Sequence, residues 1–231
     1  MRVPLKEENL RRQLVPDGIT SVIRRAVAAG ELRAGERLVE TALCKTLDVS
    51  RAALRESLRE LASEGLLVSS PHRGTFIAEL TERDVAEIYS LREALETLAV
   101  ELLLDRIVES QLSQLRELVR RMKDALDRHD FPSVVELDME FHETLCKFSG
   151  HGRLHETWRR LGGQLRIFFA NADSLYEDWQ IIERHNEVIE AIATGDKAKA
   201  VSTLREHISN AAMRLLDLRT DRDSAPLAPT R

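Results

Sequence analysis

Val49-Ser50-Arg51-Ala52-Ala53-Leu54-Arg55-Glu56-Ser57-Leu58-Arg59-Glu60-Leu61 is the stretch on which the reading of this chain turns. Leu54, Leu58 and Leu61 recur at helical spacing and form one apolar stripe. Ser50 stands where a hydroxyl caps the first turn, and Gly65 ends the pattern. Arg51, Arg55 and Arg59 follow at i, i+4 and i+8 on the side away from the leucines. Like charges at that spacing repel weakly, and an anionic partner relieves the repulsion. Arginine can bond guanine bidentately or clamp a phosphate, and the free N–H groups of a helix N-terminus favour the same phosphate. The competing reading is a solvated charged face with Glu56 and Glu60 as partners.

The flanks favour a reading head. Upstream, Ile19, Ile23, Ala26 and Val27 describe an amphipathic helix after Pro16-Asp17, stopped by Gly30 and Ala34-Gly35. Leu38 to Leu47 reads as a second, short helix, and Leu47-Asp48-Val49-Ser50 as a tight turn. Downstream, Leu66-Leu67-Val68 and Thr75-Phe76-Ile77 enclose Ser-Ser-Pro-His-Arg-Gly, which reads as a hairpin with His72, Arg73 and Gly74 at its tip. A basic hairpin directly after a two-helix reader is the winged form of the helix-turn-helix. The expectation is a winged helix-turn-helix DNA-binding domain over residues 10–79, with the helix arginines and the hairpin tip at His72, Arg73 and Gly74 turned to DNA.

From Thr81 onward strand signals vanish. Periodicity and punctuation predict six helices, about 82–107, 111–128, 132–148, 152–172, 175–194 and 196–218. The fold class is therefore mainly α: the winged head, then an all-α bundle over 81–218, then a disordered tail over 219–231 carrying Pro226 and Pro229. Composition agrees: 43% of the 231 residues are hydrophobic and 32% charged, enough to build a core and remain in solution. No apolar run is long enough to span a membrane, and the first residues lack the apolar core of a secretory signal. Cys44 and Cys146 read as free thiols of a cytoplasmic protein. Net charge is -5 but unevenly spread. Residues 1–80 hold 13 Lys and Arg against 11 Asp and Glu, and the rest of the chain 21 against 28. A weakly basic module joined to an acidic one fits a protein that touches nucleic acid with part of its surface.

Four residues of the bundle invite a second function. Asp138 and His142 are four apart and flank the stripe Leu137, Phe141, Leu145. His185 falls in the stripe Ile181, Val188, Ile192, and His207 lies beside Leu204 and Ile208. Three imidazoles and a carboxylate, each next to an inward stripe, can converge on one divalent metal, with Zn first and Ni or Mn next. Separately, each has a plainer explanation: a hydrogen-bonded core histidine, or an i, i+4 ion pair. Ser-His-Asp arrangements, phosphate-binding glycine loops and paired catalytic carboxylates are missing, so no reaction is expected.

Two segments carry a family resemblance. Gly30 to Glu40, Val49 to Leu58, Leu61-Ala-Ser-Glu-Gly-Leu-Leu67 and Arg73-Gly74 resemble the GntR family of bacterial regulators. Ala52-Ala53 stand where that family commonly has Thr-Pro, and Asp48 where the turn usually has Gly. Leu91-Arg-Glu-Ala-Leu-Glu96, Asp138-Met-Glu-Phe-His142, His185 and His207 resemble its FadR-type ligand-binding domain, called FCD, in the six-helix VanR-like group. The resemblance implies a homodimeric regulator of operator DNA, a repressor by expectation, that contacts DNA through Ser50, Arg51, Ala52, Arg55, His72, Arg73 and Gly74. It implies that Asp138, His142, His185 and His207 hold a metal that helps bind a small organic acid effector. Arg92 then faces the effector's carboxylate, with Asn210 and Arg166 as further pocket candidates. Taken without the resemblance, Arg92 equally reads as a surface pair with Glu96. Two other readings stand beside this one: a sensor for which the ion is the signal, and a metal-dependent helical-bundle enzyme.

Overall fold

The computed structural model describes residues 16–70, 73–169 and 180–223. His72, at the expected hairpin tip, lies outside the described residues, as do 170–179 and the tail beyond Asp223.

The head opens with α1 (Pro16–Ala28), whose Ile19, Ile23 and Val27 are fully buried. A two-residue strand β1 (Arg37–Leu38) leads into α2 (Glu40–Leu47) and α3 (Arg51–Ser63). The helix expected from Leu38 thus starts two residues later, at Glu40. Leu38 instead pairs with Thr75, and Arg37 with Phe76. So short a strand has no period for a sequence pattern to show. Strands β2 (Leu67–Ser70) and β3 (Gly74–Ile77) form the expected hairpin, and β1 completes an antiparallel sheet of order β1-β3-β2. Asp48 closes α2 in the left-handed conformation at φ 52°, which a short polar side chain tolerates better than most.

Six described helices build the C-terminal half: α4 (Glu82–Leu103), α5 (Glu109–Asp127), α6 (Phe131–Phe148), α7 (Gly152–Phe169), α8 (Gln180–Ala193) and α9 (Lys197–Asp223). Thr81 starts α4 with a reciprocal capping box: Asp84 N donates to Thr81 Oγ1 at 3.2 Å, and Thr81 N to Asp84 Oδ2 at 2.8 Å. The last helix runs to Asp223, so residues 219–223, expected as disordered tail, continue its helical turns.

The two halves share side chains. Ile167 of α7 packs in the head's core, and Ala28 of α1 in the bundle's. Around that seam Arg24 and Arg159 converge on Glu64, at 2.6 and 3.1 Å, and Arg25 reaches Asp130 at 3.0 Å. Glu64 is the C-cap of α3. Gly163 of α7 lies directly on it: a Cβ at Gly163 would run into the Glu64 carbonyl oxygen and side chain. Glycine is required there by close approach of backbones. Gly163→Ala is therefore expected to destabilise the chain by about 1–3 kcal/mol in urea unfolding, as overpacking does. Gly152→Ala, where nothing lies within 4 Å, is expected to be neutral or mildly stabilising.

Candidate metal centre and nucleic-acid interface

The bundle brings the four expected ligands together. Asp138 and His142 project from α6, His185 from α8 and His207 from α9, and all four are buried. His207 Nε2 lies 3.1 Å from His142 Nε2, and His185 Nε2 lies 3.0 Å from Asp138 Oδ1. His142 Nε2 and Asp138 Oδ1 are 3.9 Å apart. The compact group is the three histidines, whose ligand atoms lie within 4.8 Å of one another; Asp138 joins it on the His185 side.

Protonation follows from the outer contacts. His142 Nδ1 is 2.6 Å from Glu96 Oε2. An ionised carboxylate only accepts, so Nδ1 carries the proton and Nε2 keeps a bare lone pair. His185 Nδ1 is 2.7 Å from the Ile181 carbonyl, so Nδ1 carries a proton and in the neutral ring Nε2 is the bare nitrogen. Among the described residues that atom makes no hydrogen bond although Asp138 Oδ1 is beside it, and His207 Nδ1 is likewise buried without a partner. Two acceptors held side by side away from water repel each other unless a cation or proton lies between them.

These residues fit a divalent metal. Donors bound in common at about 2.0–2.1 Å stand roughly 3.0–3.4 Å apart when adjacent and about 4.2 Å when opposite, and the 3.0, 3.1 and 3.9 Å separations fall in that range. Imidazole nitrogens with one carboxylate are a borderline-metal set, and second-shell acceptors on ligand Nδ1 atoms are its usual support. Burial, with Arg92 next, lowers the affinity of His142 for a proton. Burial, then His185 and His142, lowers that of His207 further. Both imidazoles are therefore neutral, as ligation requires. Burial works to raise the Asp138 pKa, but the adjoining His185 and His142 imidazoles, with Arg92 beyond them, outweigh it and hold it at about 2.

Arg92 lies in this site, though not on a surface. Its side chain and that of Glu96 are 2% and 0% exposed, with Nε 2.7 Å from Oε1. The Trp158 indole N–H donates to the same oxygen at 2.8 Å. Burial pushes the Glu96 pKa up; His142 and Arg92 overcome it and hold it at about 2. The guanidinium also lies over the Tyr89 ring, 5.5 Å from its centroid. Asn210 is half-buried, three residues beyond His207 on α9, and among the described residues its side chain makes no hydrogen bond. Arg166 is elsewhere, bonded to Glu136 at 2.9 Å beside the seam between the halves.

On the head, Ser50 caps α3 as expected, accepting from Ala53 N at 3.1 Å. Arg51, Arg55 and Arg59 line its exposed face with Ala52, and Leu54, Leu58 and Leu61 are buried behind it. Arg55 pairs with Glu40 at 2.9 Å, not with Glu56 or Glu60. Such an exposed pair contributes about 0–1 kcal/mol, so it yields readily to a phosphate or base. Among the described residues Arg51 and Arg59 have no ion-pair partner. Arg73 is exposed at the hairpin, and Gly74 takes φ 111°. Arg37 of β1 reaches this tip, its Nε 3.0 Å from where a Gly74 Cβ would stand.

Comparison with known proteins settles the family. Residues 17–77 match the bacterial regulatory proteins of the gntR family, and residues 87–210 match the FCD domain. The chain belongs to the GntR family, in its FCD-domain branch. It is 30% identical to the uncharacterized HTH-type transcriptional regulator YdhC of Bacillus subtilis over 192 residues, covering 81% of this chain and 85% of that one. It is 28% identical to the gluconate operon transcriptional repressor of the same organism, covering 85% and 83%. Among solved structures, E. coli McbR/YncC superposes with a TM-score of 0.75 at 22% identity, covering 90% of this chain and 100% of that one. A putative GntR regulator from Rhodococcus sp. RHA1 superposes at 0.72 and 25%, covering 87% and 97%. This GntR-family chain is accordingly a transcriptional regulator and not an enzyme, which removes the bundle-enzyme reading. No helix among the described residues is long and apolar enough to cross a membrane.

Sequence reasoning missed Arg37, Glu96 and Trp158 as members of these sites. Arg37 becomes visible only once β1 is known to pair beside the hairpin. Arg92-x3-Glu96 was legible as a pair, but its burial was not, because the apolar residues around it come from other helices. Removing one partner of a buried ion pair leaves the other charge uncompensated. Arg92→Met is expected to cost about 3–5 kcal/mol in chemical denaturation, several-fold more than loss of an exposed pair such as Arg83–Glu87.

Proposed function

We propose that this regulator is an effector-responsive repressor, in which a divalent metal in the bundle, zinc first, helps hold a small carboxylate and thereby controls operator binding. One observation carries the reading: Asp138, His142, His185 and His207, from three helices, meet in a buried group with bare nitrogens facing inward. The metal supplies a positive charge and open coordination positions that a carboxylate can fill. The chain's own residues prepare the place: Glu96 and the Ile181 carbonyl fix the imidazole tautomers, burial keeps water out, and Asn210 offers an amide beside His207.

Operator contact falls to the outward face of α3, with Ser50 and the helix N-terminus on phosphate and Arg51 and Arg55 on base edges or backbone. Arg73 and Gly74 at the hairpin follow the groove, and Arg37 adds a cation beside them. Two heads of a homodimer on a near-palindromic site multiply weak half-site affinities. Two relatives support repression by their names, a gluconate operon repressor and a probable D-xylose utilization operon repressor from Paenarthrobacter nicotinovorans. An effector that alters the placement of the heads needs to supply a coupling of only about 1–3 kcal/mol.

A second reading takes the ion itself as the signal. The commitment of Arg92 Nε to Glu96 favours it, since that arginine already has a resident carboxylate. Demetallation that frees the operator, with no response to any carboxylate, would select this reading over the first.

The test is metal analysis of the purified chain with a thermal-shift screen of small carboxylic acids. Bound metal and at least one acid that raises Tm are expected, because a ligand of the folded state stabilises it by mass action. His142→Ala is expected to abolish both responses; retained responses would refute the site. In gel-shift assays Arg51→Ala and Arg55→Ala are each expected to weaken operator binding about 10–100-fold, the scale of one lost bidentate contact, with unchanged helical circular dichroism.

A further inference from the structure

We propose that Glu96 is the positioning residue of the centre: it aims His142 at the other donors and, through Trp158, ties the centre to the helix that abuts α3. This rests on the metal reading above and adds a role for residues outside the ligand set.

Three donors from three helices end on this one carboxylate. His142 Nδ1 of α6 lies 2.6 Å from Oε2, while Arg92 Nε of α4 and Trp158 Nε1 of α7 lie 2.7 and 2.8 Å from Oε1. The two sides of the carboxylate thus do different work. Oε2 accepts the hydrogen bond from the Nδ1–H of His142, which orients the ring and leaves Nε2 bare toward His207 and Asp138. Oε1 is held by a guanidinium and an indole, so the carboxylate cannot swing away from His142. An acceptor on the far nitrogen of a ligand histidine sets its tautomer and raises its basicity.

Trp158 carries the connection outward. Besides meeting Glu96, it lines a cleft of about 260 Å³ between the halves, with Arg24, Glu64 and Arg159. Five residues on, about 7.5 Å along the helix axis, Gly163 rests on the carbonyl of Glu64. One rigid helix therefore touches the centre's outer carboxylate at one point and the C-cap of the recognition helix at the next. A change at Glu96 on metal binding therefore reaches that helix through the Trp158 indole.

The substitution Glu96→Gln separates this role from simple charge balance. The Arg92 and Trp158 donors require the amide oxygen on their side, which turns the amide N–H groups toward His142 Nδ1. That nitrogen must then accept, and the imidazole proton moves to Nε2, into the centre. The experiment uses the full chain with Trp179→Phe, so that Trp158 is the remaining indole of the two in the sequence. Zinc is titrated against a competing chelator, and long-range proton–nitrogen spectra report the histidine tautomers before zinc is added.

The expected results are a proton on Nδ1 of His142 in the parent and on Nε2 in Glu96→Gln. Zinc affinity should fall about 10–100-fold in the variant, the usual effect of losing such a partner. Zinc should shift the Trp158 emission of the parent, and the shift should vanish in the variant even at saturating zinc. Equal zinc affinity and an unchanged tautomer in a folded Glu96→Gln would overturn this proposal and leave the metal reading intact. A parent that binds no zinc would overturn the metal reading and this proposal with it. Should the variant not fold, the parent alone decides: a His142 proton found on Nε2 overturns the proposal.

Discussion

A carboxylate with no access to water, Glu96, is the constraint around which the bundle is arranged. An ionised group in that position is costly unless cations and hydrogen-bond donors surround it. Its requirements are met by Arg92 one turn earlier on α4, His142 from α6 and Trp158 from α7. Each of those residues is large and buried, so their meeting point fixes how three helices can pack. The candidate metal centre follows from the same arrangement, because the face of His142 not used by Glu96 is the face turned to His207 and Asp138.

The head is attached to this bundle by interlocking rather than by a tether. Arg24 and Arg159 both pair with Glu64, which is only 6% exposed and so makes these contacts stronger than ordinary surface pairs. Backbone meets backbone at Gly163, and Ile167 and Ala28 each sit in the core of the opposite half. The contact falls at the C-terminal end of α3, while the arginines proposed to read DNA are spread along its outer face. The helix is thus held from behind by the bundle and presents its free side outward.

Much of this was legible in the sequence, and what was missed has physical reasons. The leucine stripe of α3, the Ser50 cap and the hairpin around Arg73-Gly74 are local, and local patterns survive in a linear reading. The three histidines and Asp138 were found because each lies next to an apolar stripe, so the bundle had to turn them inward. β1 was missed because two residues carry no periodicity. Arg92-Glu96 was visible as a pair, yet whether it faced water depended on Trp158 and His142, which lie 62 and 46 positions from Glu96. The seam between the halves rests on Gly163, and a glycine inside a helical pattern gives no sign of which backbone it admits.

The exchange of Ile167 and Ala28 between the two cores bears on how the molecule unfolds. Neither half can melt without withdrawing a side chain from the other, so the chain behaves as one cooperative unit and not as two beads. Stabilisation is then shared. Whatever binds the head also protects the bundle against heat and proteolysis, and a ligand in the bundle protects the head. The free energy of occupancy at either end is thereby distributed over the whole fold.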